Sequence, residues 1–240
     1  MKSFYVTDIG LKRSVNQDSV YCNENSIGNL PNLFVVADGM GGHRAGDLAS
    51  RLCVDTLRES VEETSLKTPV SILEEALLSA HKKILESAMA DPACEGMGTT
   101  TVAATIIDNH LYIANIGDSR LYILREKLCQ ITEDHSLVEE MVKSGELAKE
   151  NVRSHPNKNI ITRALGIGTE AMPDFFEIEL QSDDIILMCS DGLTNMLEDA
   201  EIESIIRREA DDLEKAGMTL LNRANDMGGK DNITILLVRV

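Results

Sequence analysis

Aspartates placed at the ends of buried strands constrain this chain more than any other sequence feature. Asp38 follows Phe-Val-Val-Ala, and Asp118 follows Ile-Ala-Asn-Ile-Gly. Asp191 follows Ile-Leu-Met-Cys-Ser, and Asp231 precedes Asn-Ile-Thr-Ile-Leu-Leu-Val. Aspartate is depleted in strands, and a single Asp-Gly pair is more often a turn than a ligand. Four such placements together predict carboxylates grouped at the edge of a core.

Carboxylates at a core edge need positive charge nearby, because an unpaired buried charge is strongly unfavourable. Arg120 beside Asp118 supplies one such charge, and a bound cation is the simplest partner for the whole set. Oxygen ligands without a His or Cys cluster favour a hard ion such as Mg²⁺ or Mn²⁺. The EF-hand pattern is missing, which disfavours a calcium sensor. A site of this kind is typical of phosphate chemistry.

Composition excludes several function classes. The chain has 40 acidic and 23 basic side chains in 240 residues, a formal charge of −17. This balance argues against a nucleic-acid binder and against docking on an anionic membrane. No apolar run approaches the roughly 20 residues of a spanning helix, and the N-terminus lacks a signal-peptide core. We therefore expect a soluble, cytoplasmic protein with one domain over residues 1–240.

Two other chemistries are also disfavoured by the sequence. The five cysteines form no C-x-x-C pair, and none has an arginine six positions later, so zinc, redox and cysteine-phosphatase sites are not expected. The Gly39-Met-Gly-Gly segment lacks the Lys-Ser/Thr of a phosphate-binding P-loop. Most cysteines are predicted to be buried thiols.

Apolar runs and helical spacing predict an α+β chain in which helix pairs separate groups of strands. Strand 32–37 should halt at Asp38-Gly39, and strand 119–125 should pair antiparallel with the strand before it. A polar, loop-rich excursion is expected at about 145–159. The remaining expectations are helices at 45–57, from Pro69 with Thr68 as N-cap, and at 136–144, 202–210 and 213–224, and strands at 99–107, 110–116, 185–189 and 233–240.

Eight short blocks occur in order along the chain: Arg13-Ser-Val-Asn-Gln-Asp18, Val36-Ala-Asp-Gly-Met-Gly-Gly-His43, Gly98-Thr-Thr-Thr101, Gly117-Asp-Ser-Arg120, Asp134-His-Ser136, Ile161-Thr-Arg-Ala-Leu-Gly166, Ser190-Asp-Gly192 and Asp231-Asn-Ile-Thr234. With these blocks the chain resembles the metal-dependent Ser/Thr protein phosphatases of the type 2C (PPM) family, in its bacterial form, from Thr7 to Val240. The resemblance implies a four-layer α-β-β-α sandwich, in which helix pairs flank two antiparallel sheets.

The resemblance also implies a metal site. Asp38 would bridge two Mn²⁺ or Mg²⁺ ions, with the Gly39 carbonyl on the first ion and Asp191 and Asp231 on the second. Asp118, together with Asp191, resembles the pair that holds a third, weaker ion in bacterial members.

Further residues take their expected roles from the same resemblance. Asp18 would hydrogen-bond water at the ions and fix its orientation. Gln17 and Asn232 would lie behind the ligands with Asp18, although Gln17 stands where many members of the family have Glu. Arg13 would bind the substrate phosphate, which suits a planar fork of donors.

The implied reaction is in-line attack on the phosphorus of phosphoserine or phosphothreonine by a water or hydroxide that bridges the two ions. His43 is the candidate acid for the leaving alkoxide, although eukaryotic members carry their His where this chain has Met40. His155 lies in the excursion at 145–159, which resembles the flap that influences substrate choice. A surface loop without a catalytic role is equally open. The expected partners are phosphoproteins and a bacterial Ser/Thr kinase, and the expected state is a monomer.

Two other functions stay open at this point. One is a phosphatase-like domain that binds phosphoproteins without turnover, although the intact ligand set argues against it. The other is a metal phosphoesterase for nucleotides or nucleic acid, which the acidic charge disfavours. His81 and His110 are predicted to be structural, and His135 to belong to the capped start of a helix.

Overall fold

Two antiparallel sheets lie face to face in this structure, a computed structural model that describes residues 1–41 and 45–240. The first sheet contains, in spatial order, β1 (Lys2–Asp8), β11 (Ile233–Arg239), β10 (Ile185–Cys189), β7 (Arg120–Leu124) and β8 (Leu128–Gln130). The second contains β2 (Asp18–Asn23), β3 (Leu33–Met40), β5 (Thr101–Ile107), β6 (His110–Ile116) and β9 (Asp174–Glu179), with the short β4 (Gly98–Thr99) paired to β3.

Helix pairs cover the outer faces of both sheets. The second sheet is covered by α1 (Ala45–Glu63) and α2 (Pro69–Ala90), and the first by α5 (Asp199–Arg208) and α6 (Leu213–Asp226). Two shorter helices, α3 (Leu137–Lys143) and α4 (Asp191–Thr194), lie in connections. The result is the expected α-β-β-α order of layers.

The alternation of side chains along β3 shows why the layers form. Val35 and Ala37 join the core beneath α1 and α2, whereas Phe34 and Val36 join the core between the sheets. Since successive side chains of a strand point to opposite faces, a continuously apolar strand needs cover on both sides. The apolar run that predicted β3 therefore also requires a layer on each face.

Two expectations about strands were wrong. β3 does not halt at Asp38-Gly39, because Gly39 and Met40 continue the strand by pairing with Thr99 and Gly98. β7 does not pair with β6, because the chain crosses to the other sheet there and β7 pairs with β10 and β8. Both outcomes depend on a partner that is distant in sequence, β4 in the first case and β10 in the second.

The other expected elements are present. The Asp108-Asn109 turn joins β5 and β6, Thr68 precedes α2 as its N-cap, and Ser136 caps α3 by accepting a hydrogen bond from the Glu139 N–H. Three of the five free cysteines are buried: Cys53, Cys94 and Cys189. In the described part of the chain, no helix is both long enough and apolar enough to cross a membrane.

Candidate active site

The four strand-end aspartates meet at one edge of the sandwich. Asp38 lies in the last part of β3, and Asp118 lies in the crossing from β6 to β7. Asp191 begins α4 directly after β10, and Asp231 precedes β11. Burial, followed by the charges of Asp18 and Asp191, raises the pKa of Asp38 well above its usual range. The carboxylates are therefore near enough to repel one another.

Asp18 is the fifth carboxylate of this cluster. It begins β2 and stands opposite Asp38 in the ladder. Its Oδ2 accepts hydrogen bonds from Ser190 Oγ and Thr234 Oγ1, both at 2.7 Å, and burial raises its pKa to about 7. Two side chains, one directly after β10 and one in β11, thus fix Asp18 behind the other carboxylates.

The Asp191 side chain is held by a hydrogen bond from Asn195, at the end of the same short helix. Its Oδ2 accepts a 2.8 Å hydrogen bond from Asn195 Nδ2, and Asn195 Oδ1 accepts from Lys158 Nζ at 2.9 Å. Burial, and then the charge of Asp231, raises the pKa of Asp191 to about 6. Sequence reasoning missed Asn195, although its position four residues after Asp191 places both side chains on one helix face.

Arg13 supplies the exposed positive charge of the site. Its Nη2 donates to Asp231 Oδ2 at 2.7 Å, and its side chain is 49% exposed. The loop that carries Arg13 passes close to the Asp231 backbone: a Cβ on Gly10, whose φ is +76°, would lie 2.2 Å from the Asp231 carbonyl oxygen. That close approach brings Arg13 to the carboxylates.

Gln17 and Asn232 form a group of hydrogen bonds behind the site. Asn232 Oδ1 accepts from the Gln17 N–H at 2.8 Å, and its Nδ2 donates to the carbonyls of Ile9 and Val15. The Gln17 carbonyl in turn accepts from the Gly39 N–H at 3.0 Å. These contacts tie the Arg13 loop to the ends of β3 and β11.

A cavity of about 740 Å³ extends from Asp118 and Asp191 to the excursion at 145–159. The excursion contributes five residues to its wall: Lys149, Val152, Arg153, Lys158 and Asn159. His155 is not among the residues that line the cavity, and its Nδ1 accepts from the Asn157 N–H within the same excursion.

Of the histidines considered from the sequence, His81 and His135 both accept a hydrogen bond from a glycine N–H. His43 lies outside the described residues. His135 precedes the cap of α3, and its ring contacts Gly117 and Asp174, which sequence reasoning missed. His81 is buried on α2, and its Nδ1 accepts from the Gly166 N–H at 3.0 Å.

The donor set fits hard divalent cations. Within residues 1–41 and 45–240, buried Oδ1 atoms of Asp18 and Asp191 have no hydrogen-bond partner, and the neighbouring carboxylates raise one another's pKa. Among those same residues, no three His, Cys, Asp or Glu side chains form a ready-made cage. Mg²⁺ seldom uses such a cage, because it keeps several waters and takes only one or two carboxylates.

Comparison with known proteins identifies the same pattern over nearly the whole chain. The family profile for protein phosphatase 2C matches residues 12–232. The serine/threonine phosphatase stp of Listeria innocua is 43% identical over 243 residues, which cover 99% of this chain and 95% of that protein. The S. agalactiae serine/threonine phosphatase structure has a TM-score of 0.91 at 38% identity, covering 100% of this chain and 99% of that one. The catalytic domain of the phosphatase PstP in complex with two manganese ions has a TM-score of 0.86 at 32% identity, covering 98% and 96%.

Proposed function

The chain belongs to the protein phosphatase 2C family of serine/threonine phosphatases, and we propose that it hydrolyses phosphoserine and phosphothreonine in proteins by direct attack of water on phosphorus. The observation that carries this proposal is the group of like-charged, buried and half-buried carboxylates at one edge of two sheets, with Arg13 beside them. Such a group is costly without cations, and it suits phosphoryl transfer with them.

Two Mn²⁺ or Mg²⁺ ions would be held by Asp38 and the Gly39 carbonyl on one side, and by Asp38, Asp191 and Asp231 on the other. Asp118 with Asp191 would hold a third, weaker ion. The ions, when bound, supply Lewis acidity that activates water and offsets the charge building on the phosphoryl oxygens.

The chain's own residues bind and orient the reactants. Arg13 offers a planar guanidinium to the phosphate oxygens, and Asp231 holds that guanidinium by one nitrogen. Asp18, which Ser190 and Thr234 fix by two hydrogen bonds, presents its other oxygen to water. His43 stays the predicted proton donor to the leaving alkoxide.

The excursion at 145–159 is proposed to be a flap that helps select protein substrates, because it forms one wall of the cavity beside Asp118 and Asp191. His155 would act from within that flap and not from the cavity wall. A Ser/Thr kinase is proposed to supply the phosphorylated substrates. The cytoplasmic location, the single domain and the monomeric state stay predictions.

The proposal is tested with p-nitrophenyl phosphate and a phosphothreonine peptide, each with and without Mn²⁺. Wild type should hydrolyse both only with Mn²⁺, and Asp38→Ala should hydrolyse neither. Asp55→Ala is the matched control, since Asp55 is an exposed carboxylate on α1, and it should behave as wild type. If wild type binds Mn²⁺ by calorimetry and hydrolyses neither substrate, a phosphoprotein-binding role replaces the enzymatic one.

A further inference from the structure

Gly117, the residue before Asp118, occupies a tight crossing between the sheets. Its φ is +107°, and a Cβ there would lie 2.4 Å from Thr100 Cβ. Only glycine adopts this conformation freely. The direction in which Asp118 leaves the crossing therefore depends on how the Gly117 peptide groups are held.

His135 forms hydrogen bonds with both backbone polar groups of Gly117. The Gly117 N–H donates to His135 Nδ1 at 3.1 Å, and the His135 N–H donates to the Gly117 carbonyl at 2.9 Å. His135 is only 5% exposed, so water does not compete strongly for these bonds. Two opposed hydrogen bonds to one residue fix its peptide planes.

The other ring nitrogen of His135 is also fixed. Nε2 lies 2.9 Å from Asp174 Oδ2, and Arg163 Nη1 lies 3.2 Å from Asp174 Oδ1 and 3.5 Å from Nε2. Partial burial raises the pKa of Asp174, but the His135 hydrogen bond and the Arg163 charge outweigh it and hold the pKa below its usual value. Because Nδ1 accepts, the neutral ring carries its proton on Nε2 and donates it to Asp174.

The backbone of His135 contacts the segment that returns from the excursion at 145–159. The His135 carbonyl accepts a hydrogen bond from the Thr162 N–H at 2.8 Å. Two residues later, the Leu137 N–H donates to the Ile160 carbonyl at 2.9 Å. A single buried residue thus joins the returning segment, strand β9 and the Gly117 crossing.

We propose that His135 is a positioning residue for Asp118: its Nδ1 and backbone N–H hold Gly117, while Asp174 and the returning segment hold His135. Its role in catalysis rests on the proposed phosphatase function, since Asp118 is there a ligand of the third ion. The placement of the excursion's base is thereby coupled to that ligand. Helix capping at this point belongs to Ser136 instead.

The test separates the two ring nitrogens. His135→Asn keeps an acceptor near the Nδ1 position, whereas His135→Gln keeps a donor near the Nε2 position and loses the acceptor for Gly117. We expect His135→Gln to weaken the Asp118-dependent Mn²⁺ binding step by about 10- to 100-fold, as removal of supporting groups at metal sites does. His135→Asn should lose much less Mn²⁺ affinity than His135→Gln. His110→Gln, at the opposite end of β6 from Gly117, is the control variant.

Two readouts do not depend on turnover. In the metal-free protein, the Gly117 amide should exchange with deuterium faster in His135→Gln than in His135→Asn. By calorimetry, His135→Gln combined with Asp118→Asn should bind Mn²⁺ no more weakly than Asp118→Asn alone, because one residue acts through the other.

Equal amide exchange in the two variants, or additive losses in the double variant, would overturn the proposal. A wild type that lacks Mn²⁺-dependent phosphatase activity would overturn the proposed function instead, and the amide-exchange comparison would still decide the role of His135.

Discussion

Asp118 and Asp191 of the carboxylate cluster line the same cavity as the excursion at 145–159, yet the cluster and the excursion are built in opposite ways. Asp38, Asp191 and Asp231 lie one or two residues from side chains that are completely buried: Ala37, Cys189 and Ile233. The excursion is mostly exposed. It is attached to the connection between α4 and α5, residues 195–198, which we call the α4–α5 region. Arg153 bonds there to the Leu197 carbonyl and to Glu198, and Lys158 bonds to Asn195.

The difference reflects what each region must withstand. Like charges that are held close together repel one another, and only a rigid frame keeps them there. A segment held by a few partly exposed bonds opens at low cost in free energy. We infer that chemistry is assigned to the strand ends and substrate choice to the excursion.

Asp191→Asn should have the largest effect on activity. It removes a proposed ligand while keeping an oxygen that accepts from Asn195, so Mn²⁺-dependent hydrolysis should be almost abolished. The metal-free variant should nevertheless melt higher than wild type, because a charge repelled by Asp231 is gone. Each kcal/mol gained corresponds to about 2–4 °C for a chain of this size.

Thermal melts in EDTA and in Mn²⁺ check this prediction, with Asp55→Asn as the control for loss of a carboxylate elsewhere. A lower melting temperature in EDTA would mean that Asp191 stabilises the fold by its contacts. Full activity at saturating Mn²⁺ would remove Asp191 from the ligand set.

Arg13→Ala comes next, and it tests whether a loop residue can matter as much as the strand ends. Loss of a donor to a charged transition state typically lowers kcat by about 10²–10³-fold, and we expect that loss with p-nitrophenyl phosphate. Stability should change by no more than about 1 kcal/mol, since the pair with Asp231 is half exposed and such pairs contribute little. Arg13→Lys should recover only part of the activity. Steady-state kinetics and denaturant melts measure both; unchanged inhibition by inorganic phosphate would argue against phosphate binding by Arg13.

The same contrast explains what the sequence predicts well. Buried strands and helices leave apolar patterns, and the strand-end aspartates interrupt those patterns visibly. The partly exposed strands β1 and β9 were missed, because Lys2–Asp8 and Asp174–Glu179 mix charged and apolar residues without a long apolar run. The sheet that β7 joins was predicted wrongly, because neighbours in sequence usually pair and nothing local marks the crossing at Gly117.

The supporting contacts of the site were harder to predict than its aspartates. His135 is bonded to Asp174, 39 residues later in the chain, and no short motif contains both. Asn195 and Lys158 are 37 residues apart and belong to none of the eight sequence blocks. Such contacts depend on tertiary structure, and they become visible only when the excursion is placed against α4.

Lys158→Ala and Arg153→Ala compare two cations of the excursion and should give smaller effects. Both bond to the α4–α5 region, but only Lys158 contacts a residue that holds Asp191. We expect Lys158→Ala to lower kcat for p-nitrophenyl phosphate by up to about tenfold. Arg153→Ala should leave that kcat nearly unchanged and raise KM for a phosphoprotein. Kinetics on both substrates check this; equal effects on the small substrate would mean that the excursion acts on the site as one unit, against the proposed division.

The smallest expected effect concerns pH and the point where the excursion rejoins the buried frame. His81 accepts from the Gly166 N–H, and burial lowers the His81 pKa below its usual value of 6.5. The unfolded chain therefore binds this proton more readily than the folded one, so stability is complete above about pH 6.5 and declines as pH falls from there toward the folded pKa. Protonation also replaces the acceptor that faces Gly166 with a second N–H.

His81→Asn keeps an acceptor without a titrating ring, so its unfolding free energy should decline less than that of wild type between pH 7 and 5, whatever the absolute difference in stability. His110→Asn serves as the histidine control and should follow the wild-type curve. Denaturant melts across that range check the slopes. Parallel curves for His81→Asn and wild type would show that protonation of His81 does not weaken its contact with Gly166.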